Sequence, residues 1–213
     1  MKTDDLIAML ASDTTPVAPH AARKRFQTAL LLGGLGAFAL MLLNFGVRPD
    51  LLAATALPMF WIKLAFPLAI AVPALVLSAR LCRPGIRLGS IWKMLPLPWL
   101  VIAAMALWAL AHTAPESRWE MVAGKTWITC ALSITFISGP VLLGVFWAMK
   151  GLAPTRPALA GASAGLLSAA VGTLVYALHC PEMQAPFLAI WYLLGMLIPT
   201  TLGALIGKHL LRW

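Results

Sequence analysis

WITCALSITFISGPVLLGVFWAM, residues 127–149, runs for 23 residues without a charged side chain. A helix rising ~1.5 Å per residue over that length crosses the ~30 Å hydrocarbon core of a bilayer. Lipid offers no partner to an unpaired peptide group, so the stretch is expected to be a transmembrane helix. Outward from it lie five more apolar blocks of similar length, at 28–45, 59–79, 94–111, 158–178 and 187–206. The chain has 213 residues, 61% hydrophobic and 11% charged, where a soluble domain has roughly half and a quarter. No segment shows the ten-residue alternation of a membrane barrel. The expected fold is therefore an all-α integral membrane protein, a six-helix transmembrane bundle. Residues 1–27 form a tail with a tether, 28–206 the six-span domain and 207–213 a short C-terminal tail, which leaves no length for a separate soluble catalytic domain.

The net charge of +9 reads as topology. Lys2, Arg23, Lys24, Arg25, Arg80, Arg83, Arg87, Lys93, Lys150, Arg156, Lys208 and Arg212 fall on one side of the six spans, whereas Arg48, Lys63, Arg118 and Lys125 fall on the other. The positive-inside rule then places both termini in the cytoplasm. The tail opens on acidic residues and its first apolar run, residues 6–11, is too short for the core of a signal peptide.

That tail carries its own pattern. Thr3 is a good N-cap, Asp4 and Asp5 complement the positive end of a helix dipole, and Leu6, Ile7 and Leu10 make one apolar stripe. Lys2 precedes the cap. A helix this short is marginal alone and needs a surface. With the tether around Pro16 and Pro19, residues 2–10 read either as a bait helix for a soluble cytoplasmic partner or as a frayed terminus resting on headgroups.

Of three cysteines, Cys82 falls in a cytoplasmic connection, Cys130 a turn into the periplasmic end of the fourth span and Cys180 at the periplasmic end of the fifth. His179, His112, Met121 and Met183 belong to the same layer as the last two, and all are soft or borderline ligands. The cluster reads as a site for a thiophilic cation, as a disulfide if the two Cα atoms approach within about 7 Å, or as small packing residues with no chemistry. Lys63, alone in an apolar block, is expected to snorkel to water or to pair with Asp50. Gly139-Pro140 should bend the fourth span as a hinge or as a static kink, and Gly161, Gly165, Ser168, Ala169 and Gly172 give the fifth a close-packing face. No nucleotide, zinc-protease or nucleophile-elbow motif is present, and the protein is not expected to be an enzyme or to require a cofactor. A metal or small-molecule transporter entered through the same cysteines is the alternative; the absence of a carboxylate from every span counts against it.

Met1 to Ile7, Arg48-Pro49-Asp50-Leu51, Pro58 with Phe60 and Lys63, Arg80-Leu81 with Arg83-Pro84-Gly85, Cys130, Gly139-Pro140 and His179-Cys180-Pro181 resemble, in order and spacing over the whole chain, the NrsF-type bacterial membrane anti-sigma factors. The resemblance implies an inner-membrane protein that sequesters an extracytoplasmic-function sigma factor, without contacting nucleic acid itself. It also implies that Cys130 and Cys180 respond to heavy metal or oxidant. On that basis Lys2, Thr3, Asp4, Asp5, Leu6, Ile7 and Leu10 are the expected sigma-binding residues, helped by the basic connection 80–93. Cys130, Cys180 and neighbouring His179 are the expected sensor, with a thiophilic metal ion as a candidate signal and a second copy of the bundle as a candidate partner in the bilayer.

Overall fold

The computed structural model describes residues 3–12, 20–83, 85–152 and 154–212. Among them every regular element is helical: α1 Thr3–Ser12, α2 Ala21–Asn44, α3 Leu51–Thr55, α4 Pro58–Leu81, α5 Pro96–Ala111, α6 Pro115–Ala123, α7 Trp127–Lys150, α8 Pro157–Tyr176, α9 Ala185–Phe187 and α10 Leu193–Leu210. A 3-10 turn, Ile91–Met94, leads into α5, and a π-helical stretch, Leu188–Tyr192, joins α9 to α10. Six helical stretches are long and apolar enough to cross a membrane, and they cover the six apolar blocks. Two short helices, α3 and α6, fold within connections that hydropathy left blank.

α8 is the hub, packed on α10, α4 and α7, while α2 lies along the far side of α7. Between apolar helices in lipid there is little hydrophobic gain, so close backbone approach and dispersion hold the pair. The α8–α10 seam is built on this. A Cβ added at Gly161 would fall 2.8 Å from Gly207 Cα, and one at Gly165 would fall 2.8 Å from Thr200 Cα. Ser78 on α4 reaches Ser163 on α8 through a buried hydroxyl pair at 3.1 Å.

α7 runs on through Pro140 without a break. A side chain at Gly33 of α2 would meet Val141 Cα at 2.7 Å, and one at Gly36 would meet the Pro140 ring. Pro140 is thus packed closely against α2.

Lys63 departs from expectation. It neither snorkels to water nor pairs with Asp50: the residue is wholly buried, and its ammonium lies among the backbone carbonyls of 180–182. The reason is local. Residues 180–183 are non-helical, so the carbonyls of Cys180 and Glu182 have no intrahelical donors, and one buried ammonium satisfies both.

Candidate functional site

Cys130 sits in the first turn of α7, its N–H donating to Thr126 O at 2.9 Å, and Cys180 lies just beyond α8, its N–H donating to Tyr176 O at 3.0 Å. Both are fully buried free thiols of the same core cluster. The chain's two tyrosines both close over them. The Tyr176 hydroxyl lies beside the Cys130 thiol. The Tyr192 hydroxyl is turned toward Cys180 but makes no well-formed hydrogen bond. The two rings stand 6.2 Å apart. Tyr192 reaches this position from the end of the π-helical stretch, whose Ala189 carbonyl accepts from Trp99 Nε1 at 3.0 Å. π-Bulges recur at functional sites because the extra residue re-aims the side chains around it.

The Cys180 carbonyl is the point where two cations converge. Lys63 Nζ donates to it at 2.5 Å and to Glu182 O at 2.9 Å. Arg48 Nη1 donates to it at 3.4 Å, and Arg48 N donates to Leu178 O at 3.2 Å. Arg48 is itself held by both oxygens of Asp50, at 2.7 and 2.6 Å. That charge-assisted hydrogen bond holds the Asp50 carboxyl below its ordinary range. Glu182 ties the same loop to the start of α7 by accepting from Lys125 N at 2.7 Å. Its carboxylate lies where any side chain on Gly124, at φ +56°, would have to go. The loop after α8 is thus anchored to α4, to the 45–50 turn and to the α6–α7 junction.

His179 takes a different place from the thiols. Its Nδ1 bonds Gly46 O at 3.0 Å, and because a carbonyl only accepts, Nδ1 carries the proton. The ring lies between Phe45 and Tyr176. The other soft groups are also engaged elsewhere: His112 Nδ1 lies 2.8 Å from Trp108 O, and Met121 Sδ accepts from the Thr113 hydroxyl. Among the described residues no three His, Cys, Asp or Glu side chains stand together to hold a metal ion. Tyr176, Tyr192 and Lys63 were missed as members of the site. The one signal in the sequence was that a single lysine and both tyrosines each fall inside an apolar block, where a polar side chain needs a partner.

The tail folds as α1. Thr3, Asp4, Asp5, Leu6, Ile7 and Leu10 all lie on it and all are exposed, with Ile7 59% and Leu10 67% accessible. Lys2 and the tether at 13–19 lie outside the described residues.

A family model described as "Negative regulator of sigma F", NrsF, matches residues 10–213. The chain belongs to the NrsF family. It is 46% identical, over the full length of both chains, to the probable anti-sigma-F factor NrsF of Azospira oryzae. It is 37% identical, again over both full lengths, to the anti-sigma-F factor NrsF of Caulobacter vibrioides. No solved structure matches it. As an NrsF-family anti-sigma factor the chain is a regulator and not an enzyme.

Proposed function

We propose that this anti-sigma factor lies in the bacterial inner membrane with both termini in the cytoplasm. There α1 holds an extracytoplasmic-function sigma factor of the sigma-F kind away from RNA polymerase, and Cys130 and Cys180 face the periplasm as the sensor that releases it. Orientation rests on the twelve-to-four distribution of Lys and Arg across the spans. The observation that carries the sensing role is the enclosure of two free, buried thiols by both tyrosines and Lys63, at a loop anchored to three other parts of the bundle.

Either signal changes the bonding there. An oxidant such as hypochlorite takes two electrons from the pair, forming one S–S bond with loss of both thiol protons as the oxidant is reduced to chloride and water. A thiophilic divalent ion displaces the same two protons and is held by two thiolates. Each draws the start of α7 toward the end of α8. Release then depends on differential affinity, and turning a 99:1 population of the holding state to 1:99 takes about 5.5 kcal/mol.

The test exchanges Cys130 and Cys180 for Ser, one at a time, and follows a sigma-dependent reporter with and without hypochlorite or cadmium. Loss of induction in each single variant is expected, with the sigma factor still co-purifying. An unchanged response in both removes the sensor. Co-purification that survives deletion of residues 1–11 removes the assignment of α1.

A further inference from the structure

The opposite end of the bundle is electrostatically lopsided. The chain's carboxylates are Asp4, Asp5, Asp13, Asp50, Glu116, Glu120 and Glu182. None falls in the connections 82–95 and 150–157, which carry Arg83, Arg87, Lys93, Lys150 and Arg156. Among the described residues the one salt bridge, Arg48–Asp50, lies at the thiol end. At the basic end Arg80, Arg83, Arg87 and Arg156 surround a cavity of about 420 Å³. Its shape is fixed by Arg80, whose Nη1 donates to Leu88 O at 2.7 Å and draws the loop back over the end of α4. The loop turns through Gly85 and Gly89 at φ +78° and +64°, which side-chain-bearing residues rarely adopt.

An apolar groove lies beside this cavity. It has a volume of about 410 Å³, lies between α4 and α8, and adjoins the cavity at Leu81 and Leu88, which line both; Trp92, Leu159 and Leu166 line it further along. A cluster of arginines without carboxylates selects an anion with several acceptor oxygens, since each guanidinium offers a planar fork of donors. At ~30 Å³ per water, a bare phosphate would fill only part of the head cavity. It would also leave the groove empty. An anion with an acyl chain fills both.

We propose that this head-and-groove site binds an anionic phospholipid, with its phosphate among Arg83, Arg87 and Arg156 and an acyl chain between α4 and α8. Basic pockets between membrane helices suit such headgroups. The two helices that flank the chain are those that carry the thiol site at their other ends, Lys63 on α4 and Cys180 just past α8, so the lipid sits as a wedge in the frame of the sensor.

Full-length protein purified in detergent would be mixed with phosphatidylglycerol, phosphatidylcholine or inorganic phosphate and read by native mass spectrometry and by melting temperature. Phosphatidylglycerol is expected to be retained roughly tenfold over phosphatidylcholine, and the preference to weaken with salt. Combined Arg83→Gln, Arg87→Gln and Arg156→Gln should abolish the preference. These exposed side chains lie outside the packed core, and the wild-type salt dependence is read without any variant. Ala162→Trp, which fills the groove, should lose the lipid while keeping the arginines. Equal retention of both lipids, or a preference that ignores salt, overturns the proposal. So does stabilisation by inorganic phosphate equal to that by the lipid, which marks a free-anion site. If the triple variant keeps its lipid preference but loses a co-purifying sigma factor, the arginines serve an acidic protein surface and the proposal fails.

Discussion

Lys63 and Cys180 are joined through a buried hydrogen bond from the ammonium to the backbone carbonyl, 2.5 Å long, and the same ammonium holds Glu182 O at 2.9 Å. The side chain of α4 therefore fixes the backbone that carries the thiol. Lys63→Met keeps the unbranched stem and removes the donor, stranding buried acceptors at about 1–3 kcal/mol. The expected result is a melting temperature several degrees lower in detergent. Maleimide labelling of Cys180 should also be faster than in the wild type, because the loop is no longer pinned. Unchanged labelling would show that the loop is held by its other anchors alone.

The two tyrosines should separate under the same change. The Tyr176 hydroxyl lies beside the Cys130 thiol and is not a stranded buried group, whereas the buried Tyr192 hydroxyl has no hydrogen-bond partner in the structure. Tyr192→Phe removes a polar atom that was poorly satisfied, so stability is expected to hold or rise slightly; Tyr176→Phe removes a hydroxyl that is not stranded and should cost up to about 1 kcal/mol. Thermal melts of the two variants decide this. A larger loss in Tyr192→Phe would mean that its hydroxyl is bonded.

What was legible in the sequence follows from which physics hydropathy records. Six blocks gave six helices long and apolar enough to span because such helices are set by length and side-chain polarity, and Gly161, Gly165 and Gly172 could be read as a packing face because small residues at helical spacing let backbones approach closely. Hydropathy is blind to bare backbone. It scored Lys63 as a cost needing water or Asp50, when the carbonyls of Cys180 and Glu182 satisfied it instead. It also gave no sign of the π-helical stretch, since one extra residue per turn leaves the apolar content of Leu188–Tyr192 unchanged while turning Tyr192 inward. Cys130 and Cys180 could be found by type, but their shared enclosure depends on contacts across α4, α7 and α8 that no local pattern encodes.

The Arg48–Asp50 pair gives a pH dependence of known sign. The Arg48 hydrogen bond lowers the folded pKa of Asp50, so its contribution is complete above the ordinary carboxylate value near 3.9 and is lost as pH falls through the depressed one. The anchoring of Leu178 and Cys180 by Arg48 should be constant from pH 7 to 5 and weaken only in stronger acid. Because Asp50 is exposed, the effect is small. Melting curves of wild type and Asp50→Asn are expected to differ at pH 7 and converge toward pH 3. Curves that diverge in acid would reverse the sign.

The proposed function puts grip and fold on different surfaces, and paired substitutions tell them apart. Leu6, Ile7 and Leu10 lie exposed on α1, so Leu6→Glu with Leu10→Glu takes nothing from the packed bundle and should move its stability by no more than about 0.5 kcal/mol. The sigma-dependent reporter should nevertheless be on without any stimulus, because an amphipathic helix that has lost its apolar face has nothing to seat. Gly165→Leu acts in the opposite place. Its side chain would drive into the backbone of Pro199 and Thr200 and push α8 from α10, at a cost of 1–3 kcal/mol or more, on the order of other overpacked cores. Melting temperature and reporter output, measured on both variants, are expected to separate: a normal melt with constitutive output for the α1 pair, and a depressed melt for Gly165→Leu. A depressed melt in the α1 pair would mean that the tail packs on the bundle and that its apolar stripe serves the fold.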